Sequence, residues 1–227
     1  MKKYLLIAIV LINWCAAAQD TFNYKTDYEK LVARTKDKKD KLFYDTQIKR
    51  FTSNDATLTD FETLALMVGF SGRTEYNPTK DLFKESIIYE LNTSQKYAEA
   101  SKIADKELKS NPLSLRGIYG KSYALLKLQQ KDSANYYAKQ WQKILKAMFF
   151  SGKGTSITDP TFSLGPVDGK EFINMFVGAQ ITANKTAKDK EGRAIEIYDV
   201  VLDKKKMTLY FMIDHASKRL EEEARSK

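Results

Sequence analysis

"KYAEASKIADKELKSNP", residues 96–112, is the stretch on which the fold reading turns. Tyr97, Ala100, Ala104 and Leu108 recur at helical spacing, and Asn111-Pro112 closes the run because proline disfavours the α conformation in the residue before it. Alanines in the middle of an apolar face let a second helix approach closely. Ala134 lies 34 residues after Ala100 and opens a comparable helix over 133–149. Each of these helices has a partner before it. Residues 82–92 place Phe83, Ile87, Ile88 and Leu91 on one face, and 115–130 form the second partner. The pattern is helix, turn, helix, repeated once, over 81–114 and 115–148.

These two units resemble the tetratricopeptide repeat. The residues that carry the resemblance are Tyr97, Ala100, Leu108 and Pro112, then Ser122, Leu125, Ala134 and Trp141. Ile88 departs from it, standing where that repeat prefers glycine or alanine. The resemblance implies an extended peptide bound on the face formed by the first helix of each unit. The positions it assigns are Glu85, Tyr89 and Asn92, then Arg116, Tyr119, Tyr123 and Lys127. Tyrosines beside cations suit peptide recognition. The competing expectation is that these tyrosines pack under other parts of the chain. Two units are too few to stand alone, so the preceding helices are expected to complete the stack.

Those preceding helices occupy residues 22–70. Tyr28, Leu31 and Val32 form one apolar stripe, and Leu42, Phe43, Ile48 and Phe51 another. Thr59 with Glu62 three residues on is a capping box ahead of Phe61, Leu64, Ala65 and Val68. Residues 69–78 read as a loop. After residue 149 the pattern changes to alternation, with strands expected over 161–165, 179–187, 193–202 and 207–213, a helix over 169–176, and a charged helix from 216. The fold class is therefore α+β: a helical region over 19–148 followed by a small antiparallel sheet within 149–227. This layout also resembles an exported family of unknown function from the Bacteroidetes, through Gly152-Lys153-Gly154 leading into the sheet and through Ile197-Tyr198-Asp199 and Leu209-Tyr210-Phe211. That resemblance implies architecture and compartment, with no activity attached.

The first residues, MKKYLLIAIVLINWCAAAQD, combine Lys2 and Lys3, an apolar run and a small-residue site, so a signal peptide over 1–18 is expected, cleaved after Ala18. Cys15 raises the alternative of a lipid anchor, but Trp14 occupies the position before it, where lipoprotein signals place a small residue. No later stretch reaches the ~18 uninterrupted apolar residues of a membrane helix. Cys15 and His215 are single, which excludes histidine–cysteine metal clusters and Cys–His dyads. No cofactor motif is read. The Gly152-Lys153-Gly154 stretch lacks the length of a phosphate loop and follows a helix, so a helix cap and hinge is expected there.

The chain carries a formal charge of +9, and the excess is local: residues 115–148 hold seven basic side chains and one acidic. Lys139, Lys143 and Lys146 form one stripe on a helix, a candidate anion-binding surface or a solvated face. Glu196, Asp199 and Asp214 are candidate carboxylates for hydrolysis, although Glu196 and Asp199 fall on opposite sides of a regular strand. The expected function is an exported, non-enzymatic binding or assembly protein of the bacterial envelope, with a protein or acidic peptide as partner and no nucleic acid. A hydrolase of an envelope polymer and a binder of anionic surfaces are the alternatives.

Overall fold

A computed structural model describes residues 22–225. The expected signal peptide over 1–18, its expected cleavage site and Cys15 lie outside the described residues. Seven helices come first: α1 (Tyr24–Lys36), α2 (Tyr44–Thr52), α3 (Asp60–Ser71), α4 (Pro78–Thr93), α5 (Tyr97–Ser110), α6 (Leu115–Lys127) and α7 (Lys131–Ser151). Then follow β1 (Thr161–Phe162), α8 (Asp168–Phe172) running into a π-helical turn (Ile173–Val177), β2 (Gln180–Lys188), β3 (Ala194–Leu202), β4 (Lys205–Met212) and α9 (Asp214–Arg225). The α+β class holds.

The helix starts follow local chemistry. Asn23, Thr59, Asn77 and Ser114 each accept a hydrogen bond from a first-turn amide through the side chain. At α3 the capping box is complete: the Glu62 amide donates to Thr59 Oγ1 (3.1 Å) and the Thr59 amide donates to Glu62 Oε2 (2.9 Å). Arg50 ties the same carboxylate to α2 at 2.9 Å. Thr59→Ala is expected to lower stability by about 1 kcal/mol. A thermal melt that does not move would show that the cap contributes nothing.

The structure corrects several boundaries. Residues 69–71 belong to α3, where Gly69 and Phe70 are buried; a Cβ at Gly69 would stand 2.7 Å from Thr35 Oγ1, so glycine there serves close helix packing rather than a loop. Pro78 opens α4 at a position where its missing N–H has no partner to lose. Phe83 is 69% exposed. The inward face of α4 carries Asp81, Glu85 and Ile88, so of the apolar residues read on one face only Ile88 is buried. α7 begins at Lys131 and runs to Ser151, longer at both ends than the expected 133–149.

α4 packs on α5, α5 on α6, and α6 on α7, while α7 also packs against α3. Buried Ala100, Ala104 and Ala134 sit in this stack. The sheet order is β1-β4-β3-β2. β2, β3 and β4 are antiparallel, with Tyr198 opposite Leu209, but β1 pairs with β4 in parallel, so the sheet is mixed. β1 is also short: beyond it the Ser163 amide still donates to the Met212 carbonyl of β4 at 3.1 Å, and the buried Leu164 carbonyl lies 3.1 Å from His215 Nε2 of α9. One face of the sheet, with Tyr198, Val200, Leu209 and Phe211, shares a continuous core with Leu31, Phe51, Leu64, Phe70 and Met148 of the helices. β2 forms the other edge; its exposed, polar surface with Lys185 and Lys188 is ordinary protection against strand addition.

Candidate functional site

α4 and α6 cross where glycine permits. Gly120 of α6 faces Ile88 of α4, and a Cβ at Gly120 would lie 2.4 Å from Ile88 Cγ2. Glycine therefore stands opposite Ile88, on the facing helix. At this contact lies a groove of about 260 Å³, lined by Ile88, Tyr89, Asn92, Thr93, Arg116, Tyr119, Gly120 and Tyr123.

Five of the seven assigned peptide-binding positions, Tyr89, Asn92, Arg116, Tyr119 and Tyr123, line the groove. Lys127 stands at its end, with its ammonium 5.3 Å from the Tyr123 ring centre. Tyr119 and Tyr123 stack at 6.4 Å, and Tyr119 meets Trp141 of α7 at 5.5 Å. Burial raises the Tyr119 hydroxyl above its ordinary pKa, so it is a neutral donor. Tyr89 is 63% exposed and lies under the Arg116 guanidinium, 5.8 Å from Cζ. Arg116 is also held by Glu171 of α8 at 3.2 Å, which fixes its plane. The tyrosines do not pack under the N-terminal helices or the sheet. Glu85 is absent from the groove: it is buried, accepts a 2.6 Å hydrogen bond from Ser114, and is pushed well above the usual carboxylate range by burial.

Asn92 is the polar centre of the groove. Its Nδ2 donates to the carbonyl of Gly120 at 3.0 Å. Its Oδ1 is buried and has no donor. A buried acceptor left in this state costs free energy until a ligand supplies an N–H. The tetratricopeptide resemblance assigned Asn92 but not Ile88 and Gly120 as the floor; the mid-helix glycine facing an isoleucine was the signal available.

The other candidates are placed elsewhere. Lys139 and Lys146 are exposed on α7, but Lys143 donates to the carbonyl of Asp55 at 2.7 Å and is occupied in joining α7 to the α2–α3 loop. The three lysines are thus not one free stripe. Glu196 points towards the shared core and accepts from the Tyr198 hydroxyl at 3.2 Å, while Asp199 is exposed and accepts from Thr208 at 2.8 Å. Asp214 starts α9 rather than ending a strand; it accepts from the Ala194 amide at 3.1 Å and pairs with Lys218 at 2.7 Å. The charge acting on Glu196 comes from Asp168, not from Asp199 or Asp214, so the three carboxylates are not assembled as a pair or triad. His215 is likewise helical and buried, with Nε2 3.1 Å from the Leu164 carbonyl. Gly152 caps α7, and Gly154 (φ +66°) accepts from the Tyr210 amide at 2.8 Å, which ties the helix end to β4. Among the described residues no group of three or more His, Cys, Asp or Glu is arranged to hold a metal, and no helix is long and apolar enough to cross a membrane.

No curated protein and no solved structure matches the chain. A family model described as a domain of unknown function (DUF4919) matches residues 29–223, from within α1 to within α9, and the chain belongs to that family.

Proposed function

We propose that this is an exported, non-catalytic docking protein of a bacterial envelope, from a Bacteroidetes organism, and that it holds an extended peptide segment of a partner in the α4–α6 groove. The observation that carries the reading is the Asn92 side chain: one end is fixed on Gly120 and the other is a buried acceptor without a donor. A peptide backbone amide supplies that donor, and Tyr89, Tyr119 and Tyr123 supply contact area that loses little conformational freedom. The sequential stacking of α4 to α7 on small residues supports the tetratricopeptide-like reading of this region. The excess of basic residues over 115–148, with Lys127 at the groove end, favours an acidic segment.

Selection from a random peptide library displayed on phage tests this. Wild type is expected to enrich acidic peptides. The Tyr119→Ala/Tyr123→Ala variant is expected to bind the selected peptide at least about 10-fold more weakly, the loss of one hot-spot contact. Wild-type affinity in that variant or in Asn92→Ala would sink the proposal.

A further inference from the structure

A second cleft, of about 430 Å³, shares no lining residue with the α4–α6 groove. It lies where α1, the end of α3, the β2–β3 turn and α9 meet, a junction of chain segments far apart in sequence. Its volume falls in the range of small-molecule sites. The floor is aromatic. The Tyr24 and Tyr28 rings stack at 4.6 Å and 30°, and beneath them the His215 ring lies 5.7 Å from Tyr28 and 4.7 Å from Phe162. The Tyr28 hydroxyl is fixed at 2.9 Å on Ser71, whose own proton goes to the Val68 carbonyl.

The rim is charged but balanced. Lys25 pairs with Glu191 at 2.7 Å, Arg193 with Asp189 at 2.6 Å, Lys218 with Asp214 at 2.7 Å, and Arg219 with Glu222 at 3.4 Å and the Arg73 carbonyl at 3.0 Å. Four cations and four carboxylates line the cleft, and Glu29 is the one charged side chain among them without an ion-pair partner. A strongly charged ligand would have to break these pairs. A hydroxyl would not, because it donates to a carboxylate and accepts from a cation at once. One further polar atom is unspent. His215 is 6% exposed, Nε2 is engaged at Leu164, and Nδ1 is buried without a partner. Burial holds this imidazole down to about 4, so it is neutral and one ring nitrogen is an acceptor.

We propose that this cleft binds a neutral polyhydroxylated ligand, a saccharide unit, with its apolar C–H groups against the stacked Tyr24–Tyr28 pair that lines the cleft and vicinal hydroxyls on the Glu29 carboxylate. An aromatic floor with ion-paired planar side chains at its edge serves the two surfaces of a sugar ring: apolar on the face and alternately donating and accepting around the rim. A net-neutral cleft gives no attraction for phosphate or for a polycation.

An array of neutral oligosaccharides, carrying gluco, galacto, manno and N-acetylhexosamine units beside sulfated and sialylated ones, is probed with the fluorescently labelled full chain, and the strongest neutral hit is titrated by calorimetry. Binding is expected to a neutral glycan, to weaken at least tenfold in Glu29→Gln and in Tyr28→Ala, and to be unchanged in Tyr119→Ala. Glu29 is exposed, so Glu29→Gln keeps the test valid even where Tyr28→Ala disturbs the fold. No neutral hit, hits confined to anionic glycans, or a neutral hit indifferent to Glu29→Gln would each overturn the assignment.

Discussion

Gly120→Leu separates α4 from α6 and abolishes the groove. The geometry sets the size of the effect. Even an alanine Cβ falls 2.4 Å from Ile88 Cγ2 and 3.4 Å from Asn92 Nδ2, and real Cβ atoms essentially never approach below 3.0 Å. Ile88 is 1% exposed and β-branched, so it has almost no rotamer into which to withdraw. Two effects oppose each other in Gly120→Ala. Removing a mid-helix glycine gains about 1 kcal/mol of helix propensity. Overpacking a fitted core costs about 1–3 kcal/mol. The contact is with a fully packed side chain, so the upper part of that range applies and Gly120→Ala is destabilising on balance. Leucine adds three more carbons at the same point, and α4 and α5 lose their seat. Hydrogen exchange should show their amides unprotected in Gly120→Leu while those of α3 stay slow. The double variant Gly120→Ala/Ile88→Ala, in which the obstructing methyl is gone, should recover part of the loss. Gly120→Ala that melts with wild type, or a double variant that is merely the sum of the two singles, would show that the close approach has no energetic consequence.

This glycine also marks how far the sequence could be read. The repeat of 34 residues, the alanines at positions 100, 104 and 134 and the capping box at Thr59 placed the helices, because each is a local rule with a local signature. The tyrosines and Asn92 of the groove came from the tetratricopeptide resemblance, which assigns them to the first helix of each unit. Three kinds of feature were not legible. The inward face of α4 carries Asp81 and Glu85, and no periodicity rule assigns carboxylates to a core. They are held by Asn111 and Ser114, residues some thirty positions away, at 2.9 and 2.6 Å. The parallel pairing of β1 with β4 involves only Thr161 and Phe162, too short a run for alternation to signal. The second cleft draws Tyr24, Ser71, Glu191 and His215 from four distant segments, and only the fold brings them together. His215 alone read as an isolated histidine; its meaning comes from the rings stacked on it.

Glu196→Gln should make the protein more stable than wild type above pH 8 and leave it nearly unchanged at pH 4. Glu196 faces the shared core from β3, and its pKa is pushed up to about 8, chiefly by burial; the hydrogen bond from Tyr198 opposes this, and the charge of Asp168 adds to it. A carboxyl with a raised folded-state pKa binds its proton more tightly in the folded chain than in the unfolded one. Its stabilising contribution is therefore complete below the ordinary value of 4.5 and is lost as pH rises through about 8. Across that window wild type loses up to about 1.4 kcal/mol per pH unit from this group. Asp81 and Asp168, each raised to about 7 with burial as the main cause, lose stability in the same direction at lower pH. Glutamine is neutral throughout and keeps a carbonyl to accept from Tyr198, so it removes the Glu196 contribution and leaves the other two. The gap between variant and wild type at pH 9 is expected to reach at most about 5 kcal/mol, which for a chain of this size moves the melting temperature by roughly 10–20 °C. Glu191→Gln, in the exposed β2–β3 turn, is the control: its pKa is lowered, first by the hydrogen bond from Lys25, so its effect has the opposite sign. Melting curves from pH 4 to 9 that run parallel for wild type and Glu196→Gln would mean that Glu196 is ionised and solvated at neutral pH. The sheet face that carries it would then not belong to the buried core that joins it to the helices.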